Sequence, residues 1–105
     1  MTRYTLTIPT VDYDGRPRAD FPRAAEILLA DAGVEGWTSV DGTGAWRQYR
    51  EPVRVYWIDD DDELEPRLVR AAGLLAAYAQ QEVVYLTAGG RAILVHPYGI
   101  PEAAA

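Results

Sequence analysis

From Arg3 to Pro9 polar and apolar residues alternate, with Tyr4, Leu6 and Ile8 on one side and Arg3, Thr5 and Thr7 on the other. This is the two-residue period of a half-buried strand, and Pro9 ends it. A loop containing Gly15 and Pro17 follows. The spacing then predicts a helix over about residues 20 to 32, with Asp20 as N-cap and Pro22 in its first turn. Ala24, Ile27, Leu28 and Ala32 form its apolar stripe, and Gly33 is placed to end it in the left-handed conformation. WTSV at 37 to 40 reads as a short second strand. VRVYWI at 53 to 58 reads as a third, with Val53, Val55 and Trp57 on one face and Arg54, Tyr56 and Ile58 on the other. A second helix is expected over about 64 to 81, where Leu64, Leu68, Ala71, Leu75 and Tyr78 recur at helical spacing. EVVYLT and RAILVH, separated by AGG, read as a strand and a return strand, and residues 97 to 105 as a loosely held tail.

The resulting order is strand, helix, strand, strand, helix, strand, with room for one extra strand. It predicts a ferredoxin-like α+β domain over residues 1–96, with two helices on one face of an antiparallel sheet. The opposite sheet face has no cover in such a two-layer fold, yet the third strand is apolar on both sides. An uncovered apolar face of that size implies a homo-oligomer, dimeric or trimeric.

Composition narrows the chemistry. The 105 residues are 49% hydrophobic and 25% charged, which fits a single globular domain. No apolar run approaches the length needed to cross a bilayer, and the alternating start is unlike a signal region, so a soluble, cytoplasmic protein without membrane association is expected. The absence of cysteine removes disulfides, thiol catalysis and cysteine-ligated metals. A net charge of −6 argues against a nucleic-acid-coating role. All ten basic residues are arginine, a side chain suited to bidentate capture of phosphate or carboxylate, although a GC-rich genome gives the same bias.

Candidate chemistry gathers in DGTGAWRQYREP, residues 41 to 52. Trp46 can stack on a flat ligand while Arg47 and Arg50 take its anionic group. The plainer alternative is a hairpin whose rings pack on neighbouring strands and whose arginines meet nearby carboxylates. Gly90 and Arg91 in AGGR form a weak anion-binding motif. The acidic run Asp59 to Asp62 is expected to be a solvated helix entry, not a metal site, and no cofactor is expected. With one histidine, His96, and one serine, Ser39, neither a two-histidine site nor a serine–histidine dyad is indicated. No catalytic residue is assigned.

Three stretches carry a family resemblance: GVEGWT (33–38), GTGAWRQ (42–48) and EPVRVYWIDDDDELEPRLVRAA (51–72). About half the chain resembles the corresponding part of the nitrogen-regulatory PII signalling proteins. In those proteins a Gly-Val-x-Gly-hydrophobic-Thr turn ends the first helix and Gly-x-Gly-Arg-Gln opens a long loop. The resemblance implies a ferredoxin-like trimer with adenine nucleotides bound between subunits. By it, Thr38 would line the adenine side, Gly44, Arg47 and Gln48 would match the start of the loop, and Gly90 and Arg91 would stand near the phosphate turn. GAWR followed by an EP-strand also looks like small uncharacterised proteins of actinobacteria and their phages.

The expected function is therefore oligomeric binding of a small anionic ligand such as a nucleotide in intersubunit clefts. The ligand-binding set is Thr38, Gly44, Trp46, Arg47, Gln48, Arg50, Gly90 and Arg91. The short connection after Trp46 leans toward sequestration over signalling through a mobile loop. Two alternatives stand beside it: a small enzyme using His96 or Tyr49, and a protein-binding module acting through the open sheet face.

Overall fold

A computed structural model describes residues 1–103, with side chains considered through residue 99. The element order is β1 (Thr2–Pro9), α1 (Asp20–Asp31), β2 (Thr38–Trp46), β3 (Tyr49–Asp60), α2 (Glu65–Tyr78), β4 (Val84–Ala88), β5 (Arg91–His96) and β6 (Ile100–Ala103). Short 3-10 turns cover Asp62–Leu64 and Pro97–Gly99. All strands join one antiparallel sheet in the order β2-β3-β1-β4-β5-β6. The first four strands give the ferredoxin-like arrangement, and β5 and β6 extend it at one edge.

The alternation in β1 sets the two layers. Tyr4, Leu6 and Ile8 are buried, as are their partners from neighbouring strands, Tyr56 and Ile58 of β3 and Leu86 and Ala88 of β4. Ala25 and Leu29 of α1 and Leu68, Ala72, Leu75 and Ala76 of α2 close over them. The two buried tyrosines keep their hydroxyls satisfied. Tyr4 donates to the Asp61 carbonyl at 2.7 Å and Tyr56 to the Glu26 carboxylate at 2.8 Å. Burial and the Glu26 carboxylate together push the Tyr56 hydroxyl well above the usual tyrosine range.

Several sequence expectations need correction. Ala19, not Asp20, is the residue before α1, and Asp20 caps nothing. Its carboxylate instead accepts from Arg18 at 2.8 and 2.9 Å and from the Tyr78 hydroxyl at 2.8 Å, which ties the start of α1 to the end of α2. Of the expected α1 stripe, Ala32 is buried and Ala24 and Leu28 pack against the core, but Ile27 is exposed, and the most deeply buried residues are Phe21, Pro22, Ala25 and Leu29. Phe21 draws the helix round because its ring packs edge-on against Tyr78, with centroids 6.1 Å apart. Helix α2 ends at Tyr78, short of residue 81, and Gln80 takes a positive φ of 54° beyond it.

Strands β2 and β3 are much longer than the sequence suggests. The glycines and Pro52 do not interrupt them, because the two strands pair continuously from Thr38↔Trp57 to Trp46↔Tyr49. β1 stops pairing at Pro9↔Val53, so the hairpin runs on as a two-stranded ribbon beyond the body of the sheet. At ~3.3 Å per residue the four further pairs, Thr43↔Pro52 to Trp46↔Tyr49, make that overhang roughly 13 Å long.

The expectation of a loose tail is also corrected for the described residues. Residues 97–99 turn against α2, and the backbone of β6 pairs with β5 from Ile93↔Ala103 to His96↔Ile100. The physical reason lies in Gly73 of α2. A Cβ there would stand 1.8 Å from the Gly99 nitrogen and 2.2 Å from its Cα, so only glycine lets the turn settle on the helix.

Gly73→Ala tests this contact. Alanine favours a helix interior by about 1 kcal/mol over glycine, but overpacking of this kind costs about 1–3 kcal/mol. The expected outcome is a lower midpoint of denaturant unfolding together with faster chymotryptic cleavage after Tyr98. An unchanged midpoint and cleavage rate would show that the close approach does not hold the C-terminal segment.

Candidate functional site

The ribbon's two faces are fixed by strand parity. Trp46 pairs with Tyr49 and Gly44 with Glu51, so the two rings and the Glu51 carboxyl share the face continuous with the open side of the sheet. Ala45 pairs with Arg50, which places Arg50 on the helix side. Arg47 and Gln48 make the two-residue connection. Trp46 is 73% exposed and Tyr49 78%.

Arg47 has φ +56°, in the left-handed region where glycine or asparagine is the inexpensive choice for a hairpin turn. Its guanidinium lies 5.7 Å from the centre of the Trp46 ring, a cation–π contact. Neither Arg47 nor Arg50 forms an ion pair among the described residues. A shallow, open depression at the tip is lined by Arg47, Gln48, Tyr49 and Arg50 alone.

The residues singled out from the sequence therefore separate. Trp46 and Arg50 do not share a face, so the cleft expected from Trp46, Arg47 and Arg50 is not formed as one surface. Gly44, Trp46, Arg47, Gln48 and Arg50 lie at the ribbon end, and Thr38 lies eight positions back along β2, opposite Trp57. Gly90 and Arg91 are at the other end of the sheet: the β4–β5 turn follows Ala88, which pairs with Tyr4, and the Gly89 amide donates to the Arg3 carbonyl. Arg91 forms an ion pair with Glu65 of α2. Within one chain the two halves of the expected site cannot meet.

Glu51 was not among the sequence candidates. Desolvation raises its carboxyl above the ordinary glutamate range. The alternation of β3 would have placed it beside Tyr49 had the strand been read back to that residue. Of the acidic run, Asp59 accepts from Arg3 at 2.8 and 2.9 Å, which lowers its carboxyl, and Asp62 accepts from Thr2. Among the described residues no group of three or more His, Asp or Glu is placed to hold a metal, and no helix is long and apolar enough to cross a membrane.

A second cluster sits between α1 and β3. Arg54 donates to Asp41 at 2.8 Å and lies 4.0 Å from Glu26, which also accepts from Tyr56. Trp37 packs edge-on against the Tyr56 ring at 5.1 Å. Each of these polar groups has a partner, so the cluster braces the ribbon's root against α1.

No protein-family model matches the chain, and no curated protein matches it. Solved structures do resemble it. A phage SAM lyase in complex with S-methyl-5'-thioadenosine superposes with a TM-score of 0.58 over 99% of this chain and 88% of that one, at 9% sequence identity. A phage SAM lyase in the apo state does so with the same TM-score and coverage, at 8% identity. At this identity the likeness is one of fold.

The raised Glu51 carboxyl gives a signed prediction. Its folded-state pKa lies above the unfolded value, so the charged form opposes folding at neutral pH and the opposition disappears as pH falls below the usual glutamate value of about 4.3. Glu51→Gln should raise the melting temperature at pH 7, and the gain should shrink toward pH 4. A gain independent of pH, or a loss at pH 7, would show that desolvation does not govern this carboxyl.

Proposed function

We propose that the chain is an oligomeric binder of a small ligand that carries a flat nucleoside-like ring and an anionic group. The ligand is held at the ribbon tip and enclosed by a neighbouring copy. The observation that carries this reading is Arg47. A non-glycine residue in the left-handed region costs of order 1 kcal/mol, and here the strained residue is an arginine without an ion pair, set beside two exposed rings. Within the chain the return is a single exposed cation–π contact to Trp46, about 0.5–1 kcal/mol, which at most offsets the strain and leaves the guanidinium's hydrogen-bond donors without a carboxylate among the described residues. A ligand adds more: stacking on an aromatic face contributes about 0.5–1.5 kcal/mol beyond area burial, and a hydrogen bond to a charged group about 1.5–3 kcal/mol.

A site lined only by the ribbon encloses little, because a pocket normally buries most of its ligand's surface. Completion by a second copy supplies the missing wall. The fold likeness to a protein solved with S-methyl-5'-thioadenosine supports an adenosine-type ring.

One observation favours turnover of SAM as a second reading. Glu51 lies on the same ribbon face as Trp46 and Tyr49, and a carboxylate flanked by aromatic rings suits a positively charged group such as a sulfonium.

Arg47→Gly separates binding from folding. It relieves the left-handed strain, so stability should hold or rise by a few tenths of a kcal/mol up to about 1 kcal/mol. Affinity for an adenine nucleotide, whose phosphates supply the anionic group, should fall at least tenfold when measured by calorimetry. The parent's affinity should weaken with added salt. No binding by the parent across adenine nucleotides, SAM and S-methyl-5'-thioadenosine, or equal binding by Arg47→Gly, overturns the proposal. Chromatographic appearance of S-methyl-5'-thioadenosine from SAM would favour the second reading.

A further inference from the structure

The sheet face away from the helices carries threonines and apolar side chains and is nearly free of net charge. Thr38 and Val40 of β2, Val55 and Trp57 of β3, Thr5 and Thr7 of β1, Tyr85 and Thr87 of β4, and Ala92 and Leu94 of β5 stand side by side through the strand registers. Val40, Trp57 and Tyr85 are each more than 40% exposed. Among the described residues, the acidic and basic groups on this face are the Arg3–Asp59 pair, which neutralises itself, Glu51 and His96.

We infer that this face is covered by the same face of a second copy of the chain. The inference deepens the reading of a ligand site shared between copies by naming the surface that joins them. Charge selects the face: each copy carries −6, and two such molecules approach at least cost through a surface whose charges are few and paired. Area agrees. Five strands ~4.8 Å apart and about six residues long cover on the order of 450 Å² in projection, in the middle of the range of about 300–600 Å² for the largest patch on a monomer. The Trp46 and Tyr49 rings, on the same face, add about 150–250 Å² each. The sum reaches the ~800 Å² per partner of a stable interface.

Composition agrees as well. Threonine, valine and aromatic side chains on a pleated surface are those that pack sheet on sheet at ~10 Å. The ribbon also needs cover, because an isolated two-stranded hairpin is marginal in water. In a contact where both copies use this one face, each ribbon presents Trp46 and Tyr49 to the other copy.

The test is mass by light scattering at micromolar concentration, with circular dichroism to confirm folding. The parent should give a multiple of 11.6 kDa. Val40→Arg and Tyr85→Arg, exposed substitutions on β2 and β4, should each weaken self-association at least tenfold and remain folded. Ile27→Arg, on the exposed side of α1, should associate like the parent. A monomeric parent, or an assembly that survives both face variants, overturns the inference. An assembly broken by Ile27→Arg and by neither face variant overturns it too. A parent oligomer that the face variants dissolve but that binds none of the adenine nucleotides, SAM or S-methyl-5'-thioadenosine would instead overturn the ligand reading and leave this one standing.

Discussion

The register between β1 and β3 is the constraint on which the rest of this molecule depends. Leu6 faces Tyr56 and Tyr4 faces Ile58, so both strands turn their largest apolar side chains toward the helices at the same levels. A slip of one residue would exchange every inward side chain for an outward one. It would carry Trp57 and Val55 under α1 and expel Tyr56, whose hydroxyl has found Glu26. Because the register cannot slip, the open face receives what remains: threonines, valines and Trp57. The ribbon inherits its two faces from the same parity.

That dependence explains how much of the fold was legible in the sequence. β1 was clear because its alternation is strict and half of it is buried, and both helices were placed because their cores recur at helical spacing. β3 was only half legible, since both of its faces are apolar and no pattern said where it began. Glycine and proline at 42, 44 and 52 look like strand breakers, yet Gly42 lies level with the last β1 pair and Gly44 and Pro52 lie in the ribbon beyond it, where few neighbours oppose them. The last strand was missed because the feature that holds it lies elsewhere: Gly73 admits the turn at Gly99, and no local reading of residues 97–103 could show that.

The placement of the candidate residues was only partly legible. The sequence drew attention to residues 46 to 50, where arginines and rings crowd a turn. It grouped them by proximity along the chain, whereas a strand sends neighbours to opposite faces, so Arg50 separates from Trp46 and Glu51 joins it. Gly90 and Arg91 entered as a weak anion-binding motif and through a family resemblance, and the antiparallel path of β4 and β5 carries them to the far end of the sheet.

The ribbon's overhang has a consequence for how such a chain can change over generations. Residues 43 to 52 lie beyond the strand that anchors the core, and every one of them is at least partly exposed, so substitutions there touch little of what keeps the domain folded. Whatever the tip does, its side chains and the residues that secure the fold occupy separate stretches of one sequence. Selection could rewrite the tip while the scaffold stayed fixed, and a protein engineer could graft recognition segments at the same place.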